Sequence, residues 1–239
     1  MTFRPLPGFT IAAAILFAVL VSLGVWQLHR LQWKLALIDQ VSRNMGAAPI
    51  SLDEALKLGS GAEYRRVTLR GRFDNAKESY IFGTGPEGAP VFHVIVPFAT
   101  DDGRILLVDR GIVPRDLQNP AMRPASIVNR QTRVTGVWRT GDGPGPFTPA
   151  PDPAKRLWFV RDAVAIAHAD GIRAVAPVIV EADATPNPGG WPRGGQTVVA
   201  FRNEHLQYAL TWFLLAGGLL VVYIAFHVSR GRLRLKSTA

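Results

Sequence analysis

Two apolar runs without a formal charge, one near each end of the chain, restrict what this sequence can fold into more than any other feature. Phe9 to Leu28 reads FTIAAAILFAVLVSLGVWQL, and Leu206 to Val228 reads LQYALTWFLLAGGLLVVYIAFHV. Each has the roughly 20 residues needed to cross about 30 Å of hydrocarbon. A backbone in hydrocarbon must satisfy its own N–H and C=O groups, so an isolated run of this kind has to be a helix. Transmembrane helices are therefore expected over residues 9–28 and 205–228. The first is read as an uncleaved anchor: Arg4 is the one positive side chain before it, and Gly24-Val25-Trp26 makes a poor cleavage site.

Charge sets the orientation. The formal net charge is +9, and Arg230, Arg232, Arg234 and Lys236 crowd the last ten residues. Such clustering is a topology signal rather than a nucleic-acid footprint, and it places residues 229–239 in the cytoplasm. Two spans return residues 1–8 to the same side and leave residues 29–204 outside. Arg30 and Lys34, on the outer flank of the first span, run against that rule and need a reason. The chain has no cysteine. Disulfides, thiolate metal sites and cysteine nucleophiles are excluded together.

The middle region is expected to be mainly antiparallel β with one or two helices. Leu31, Leu35 and Ile38 continue the first helix to about Val41, and Pro49 ends that stretch. Ser51 caps a short helix, SLDEALKLG, with Glu54 at the capping-box position. The period then changes to two. In Tyr64 to Phe73, Val67, Leu69, Gly71 and Phe73 face one way, while Arg66, Thr68, Arg70 and Arg72 face the other. Val91 to Thr100 and Arg104 to Val113 read as two strands joined at the Asp102-Gly103 turn signal. Further strands are expected near Val134, Val178 and Val198, and a helix over Arg161 to Gly171. The pattern fits a small barrel or a sandwich. The Gly- and Pro-rich stretches 141–153 and 184–195 are read as surface loops.

Several chemistries drop out. Gly83, Gly85 and Gly88 spell G-x-G-x-x-G, but a strand follows where a phosphate-binding helix would have to start. There is no G-x-S-x-G and no H-E-x-x-H. The five histidines, His29, His93, His168, His205 and His227, include no i, i+4 pair. The arginine face of the strand Tyr64 to Phe73 reads as a solvated surface.

What remains is the outer end of the two spans. On a helix Trp26, Arg30 and Trp33 form one stripe, and Gln27, Arg30 and Lys34 an overlapping one. Across from them His205, Tyr208 and Trp212 share a stripe on the second helix, with Asn203 as its expected N-cap. Antiparallel helices bring both stripes to one level. An imidazole, flat aromatic walls and a cation beside an apolar phase suit a haem: iron on the imidazole, the macrocycle against the rings, propionates toward Arg or Lys. Taken separately, each group also fits an interfacial aromatic belt with snorkelling cations.

Three stretches carry a family resemblance. GVWQLHRLQWKLALI, ILLVDRGIVP (Ile105 to Pro114) and NEHLQYALTWF resemble, in that order, the N-terminal, central and C-terminal motifs of the surfeit locus protein 1 family. Ile112 stands where an aromatic is common, and Glu204 departs from the C-terminal motif. The resemblance covers essentially the whole chain. It implies a non-enzymatic factor in the assembly of haem–copper cytochrome c oxidase, one that binds haem a and helps deliver it to the large catalytic subunit. It implies contact with that subunit and with the haem a synthesis machinery, and makes His205 the iron ligand. With the span starting at Phe9, the resemblance is to a bacterial member in the inner (plasma) membrane, its large loop in the periplasm. The expected site is His205, Tyr208, Trp212, Trp26, Gln27, Arg30 and Trp33. Two other readings stand beside it: a haem-free scaffold that holds an oxidase subunit, and an enzyme or sensor built on a buried acid–base cluster or deep pocket in the β region.

Overall fold

The computed structural model describes residues 2–85, 88–197 and 203–234. In chain order its elements are β1 (Thr2–Phe3), α1 (Pro7–Gly46), β2 (Ile50–Ser51), α2 (Leu52–Leu58), β3 (Arg66–Phe73), β4 (Ser79–Thr84), β5 (Pro90–Thr100), β6 (Ile105–Pro114), β7 (Thr132–Thr140), β8 (Leu157–Trp158), α3 (Ala163–Ala169), β9 (Val178–Ala182), α4 (His205–Ser229) and β10 (Leu233–Arg234), with short 3-10 turns between. They form two compact units, Met1–Gln40 with Ala200–Ala239, and Val41–Val199. The expected strand near Val198 and the basic residue Lys236 lie outside the described residues.

The first unit is a helical hairpin. Both α1 and α4 are long and apolar enough to cross a membrane. With Pro7 at its first position, α1 runs unbroken for 40 residues, about 60 Å at 1.5 Å per residue. This joins the expected span and its expected extension in one rod. At the other end of the hairpin, β1 pairs antiparallel with β10.

The second unit is a barrel. Strands β3, β7, β9, β6 and β5 follow one another by hydrogen bonding, and β5 returns to β3 to close the ring. The close falls at Gly71, opposite Thr132 of β7 on one side and Thr100 of β5 on the other. A Cβ there would lie 2.0 Å from the Ala99 carbonyl oxygen, so only a glycine lets the two backbones approach. Four ring pairings are antiparallel and β6–β9 is parallel. The expectation of a mainly antiparallel domain holds for the ring, with one parallel pair making the sheet mixed. The reason is topological: up and down cannot alternate around a ring of five, so one neighbouring pair must be parallel.

The core follows from which faces this ring covers. Val67, Leu69, Phe98, Leu106, Val108, Val134, Trp138, Val178 and Val180 fill the interior, with Leu52 and Ala55 of α2 packed on them. Outside, α3 covers Ile95, Leu107 and Ile179. Because β6 is buried on both faces, ILLVDRGIVP reads as one apolar run instead of alternating. Local signals behave as expected. Ser51 and Glu54 form the capping box of α2, and the two bonds that Ser51 donates, backbone first, hold the Glu54 carboxyl below its usual range. At the β5–β6 turn Gly103 takes φ +84°. There the Arg104 guanidinium, followed by the Thr100 hydroxyl, holds the Asp102 carboxyl well below its usual range. Asp162 caps α3, which is shorter than expected, and Gly171 follows at φ +64°. Strands β4 and β8 were not expected; β4 ends in Gly83-Thr84 and β8 has two residues.

One ion pair is buried beside the barrel. Arg123 is paired with Glu78, and the Tyr80 hydroxyl donates to Glu78 Oε1 at 2.6 Å. Arg123 Nη1 also donates to Ser126 Oγ at 3.1 Å, and its Nε to the Leu117 carbonyl at 2.8 Å. Burial and the bond to Glu78 push the Tyr80 phenol well above its usual range, so it remains a donor. Removing one partner of such a pair strands the other's charge. Glu78→Gln should therefore lower the unfolding free energy by about 3–5 kcal/mol in denaturant titrations. Gly71→Val should cost at least about 1–3 kcal/mol by forcing the ring open. A wild-type midpoint for Gly71→Val would show that the barrel does not close at this residue.

Candidate functional site

The two long helices run antiparallel, and three contacts fix their register. Thr10 Oγ1 lies 2.7 Å from Tyr223 Oη, close to where Phe9 stacks on the Tyr223 ring with centroids 5.7 Å apart. Further along, Gly24 faces the Phe213 ring; a Cβ at Gly24 would lie 2.6 Å from Phe213 Cε1. A small residue here lets the helices come close, as in membrane helix pairs generally. At the far end Gln27 Oε1 lies 2.9 Å from His205 Nδ1. His205 is the first residue of α4, and Glu204 occupies the cap position. The expected cap, Asn203, stands one residue earlier, and its side-chain oxygen accepts the His205 backbone N–H at 3.4 Å.

The Gln27 contact sets the state of the imidazole. With the amide oxygen as acceptor, the neutral imidazole carries its proton on Nδ1 and its lone pair on Nε2. Among the described residues nothing donates to Nε2. This is the arrangement of a histidine whose second nitrogen is oriented by an outer partner while the first is available to a metal.

Arg30 follows Gln27 by three residues, which puts it about 4.5 Å further along α1 and about 60° around it. It therefore stands near the level of His205 but on the flank of the helix seam. Its guanidinium lies 4.9 Å from the centroid of the Trp33 ring and 5.9 Å from that of Trp26. Both tryptophans are open, at 52% and 55% exposure. Among the described residues the Arg30 guanidinium makes no hydrogen bond or ion pair, with His205 or any other group. Tyr208 is likewise exposed and Trp212 half-buried. The structure thus joins Gln27 to His205, and separately joins Trp26, Arg30 and Trp33.

Sequence reasoning passed over a second polar constellation, inside the barrel wall. His93 Nδ1 lies 2.7 Å from Asp109 Oδ2, and Asp109 Oδ1 accepts the Gly111 backbone N–H at 2.8 Å. A β-bulge between His93 and Ile95 brings the two side chains together. The available signal was a polar interruption inside each of two adjacent apolar strands, His93 in VFHVIVPF and Asp109-Arg110 in ILLVDRGIV. The other edge of the His93 ring faces Gly83, where a Cβ would lie 3.2 Å from Cδ2, and Val91 packs close by. Hemmed in by a strand, this imidazole is held in place and touches no nucleophile among the described residues.

Known proteins place the chain in a group. The profile of the SURF1 family matches residues 14–217. Surfeit locus protein 1 of Takifugu rubripes is 35% identical over 229 residues, covering 89% of this chain and 94% of the relative. The Xenopus tropicalis protein of that name is 37% identical over 211 residues, covering 80% and 67%. The human one is 35% identical over 207 residues, covering 80% and 68%. A match over most of the length, spanning both long helices' facing ends and the barrel between them in sequence, assigns this chain to the SURF1 family.

Proposed function

We propose that this chain is a non-enzymatic assembly factor for haem–copper cytochrome c oxidase, seated in a bacterial inner membrane, that holds haem a through His205 and passes it to the large catalytic subunit. The observation that carries the proposal is the His205–Gln27 hydrogen bond at 2.9 Å. It fixes the tautomer and leaves Nε2 as a lone-pair donor suited to an axial iron site. A single imidazole is enough for iron already held by four pyrrole nitrogens. A bare ion would want more, and among the described residues no three His, Asp or Glu side chains converge.

The surrounding residues suit the same cargo. Trp26, Trp33, Tyr208 and Trp212 offer flat apolar surface at the helix ends, and Arg30, already stacked between two rings, offers a guanidinium for a carboxylate. This gives the two outward cations a reason: Arg30 and Lys34 stand at the wrong flank for topology but at the right one for propionates. The opposite end of the hairpin carries Arg4, Arg230 and Arg232, which supports a cytoplasmic placement there and a periplasmic barrel. The partners on this reading are the large oxidase subunit, the haem a synthesis machinery and membrane lipid.

A second reading has its own observation. Trp26 and Trp33 are exposed and Arg30 has no carboxylate partner among the described residues, so this stripe also suits an acidic surface of an oxidase subunit with no haem involved. Visible spectra separate the two. Detergent-solubilised protein from cells that make haem a should show a Soret band, and His205→Ala should abolish it. Gln27→Ala should weaken haem affinity about 10–100-fold while the protein stays folded. Undiminished haem in His205→Ala overturns the ligand assignment. If Arg30→Ala keeps its haem but no longer co-purifies with the oxidase subunit, the stripe belongs to the partner.

A further inference from the structure

Arg110 is a buried charge with few partners among the described residues of the barrel unit. It is 1% exposed. Its Nη2 donates to the Ser126 carbonyl at 2.8 Å and to Asn187 Oδ1 at 3.1 Å, while Nε and Nη1 are buried with no acceptor. Of five N–H donors on a guanidinium, three are therefore unused. The nearby buried carboxylate, Glu78, is already taken by Arg123 and Tyr80. Phe73 gives Arg110 a ring face at 4.8 Å, which offsets part of its lost hydration. Burial, only partly offset by the charge of nearby Glu78, pulls the guanidinium down to about 10, so it remains charged at neutral pH.

This charge borders a cavity. The Asp183 backbone N–H donates to the Thr135 carbonyl at 2.9 Å, one residue past the last β7–β9 pair, and next to it opens a space of about 380 Å³ lined by Phe73, Arg110, Arg130, Arg133, Asp183 and Asn187 among others. Arg130 and Arg133 are exposed and, among the described residues, their side chains make no hydrogen bond or ion pair. Asp183 is the acidic residue of the lining, and Arg66 Nη2 lies 3.9 Å from its Oδ2. Arg133 also stands directly opposite Arg70 across the β3–β7 ladder, a like-charge pairing that costs stability. A fold that buries one guanidinium without a counter-ion and sets two more around the same opening concentrates positive potential there.

We propose that this cavity is a binding site for a small multivalent oxyanion, one bearing phosphate or carboxylate groups. The anion would be drawn by Arg130 and Arg133 at the opening and by the uncompensated charge of Arg110 behind them. The volume lies within the range of small-molecule sites.

The test uses the full chain in detergent, unfolded thermally in rising inorganic phosphate or citrate, with sodium chloride at matched ionic strength as reference. Both anions also stabilise proteins generally, through exclusion from the surface, and that effect rises steadily without saturating. The site predicts an added, saturable rise in Tm that Arg130→Gln/Arg133→Gln loses, with at least a tenfold weaker half-saturation. Citrate saturating without phosphate would assign a carboxylate ligand, and the reverse a phosphate. Arg110→Met should lose the saturable part while its Tm without anion stays level or rises, because an unpaired buried charge has been removed. An unsaturating response of equal slope in the wild type and the double variant would overturn the site.

Discussion

The contact between Gly24 and Phe213 governs the arrangement at the helix ends. Two apolar helices can slide along one another at little cost, since any apolar residue will pack on another. A ring that needs the space of a missing Cβ has one place to go. Once Phe213 is seated over Gly24, helical geometry carries Gln27 round to His205, and Trp26, Arg30 and Trp33 follow on the neighbouring face. The hydrogen bond to Gln27 then decides which nitrogen of His205 is protonated. A packing constraint between two apolar groups thus sets the electronic state of a polar one.

The barrel rests on a different constraint, ring closure with an odd number of strands. It forces a parallel pair, which here is β6–β9. A parallel neighbour cannot be reached by a hairpin, so the chain crosses from β6 to β9 by way of β7 and the long segment after it, and α3 lies in that segment on the outer face of the sheet. With both faces covered, polar residues in the central strands lose access to water and must find partners inside. His93 finds Asp109, and beside the barrel Glu78, just before β4, finds Arg123. Arg110 finds two acceptors on one nitrogen and none on the others. The surplus of buried positive charge over buried carboxylate near Arg110 is what distinguishes that corner of the barrel from a well-satisfied core.

The two regions also differ in how much of them could be read in advance. Helix α2 was readable down to its cap, because Ser51 and Glu54 act within four residues. The β5–β6 hairpin was readable because Asp102-Gly103 is a local turn signal and both flanking runs are apolar. Strand β4 was missed because SYIFGT offers only three consecutive large apolar residues before a glycine. The His93–Asp109 pair was missed because it depends on a bulge that shifts the register between adjacent strands, and no pattern of period two announces one. The Asn203 cap was off by one residue, within the scatter expected of helix ends.

By itself, the sequence determined whatever depends on neighbours along the chain or on bulk partition: two helices long and apolar enough to span a membrane, a β region between them, their antiparallel sense, and the gathering of aromatic and basic residues at one shared end. Hydropathy, caps and turns act over a few residues, and a helix's apolar length is additive. Tertiary structure alone decided which of the gathered residues meet. Gln27, not Arg30, faces His205, because the rotation of α1 about its axis is set by Phe213 lying against Gly24. Arg110 lacks a carboxylate partner, because Glu78 is bonded to Arg123 and Tyr80. Both outcomes turn on side-chain packing between residues far apart in the chain, and a linear pattern does not encode that.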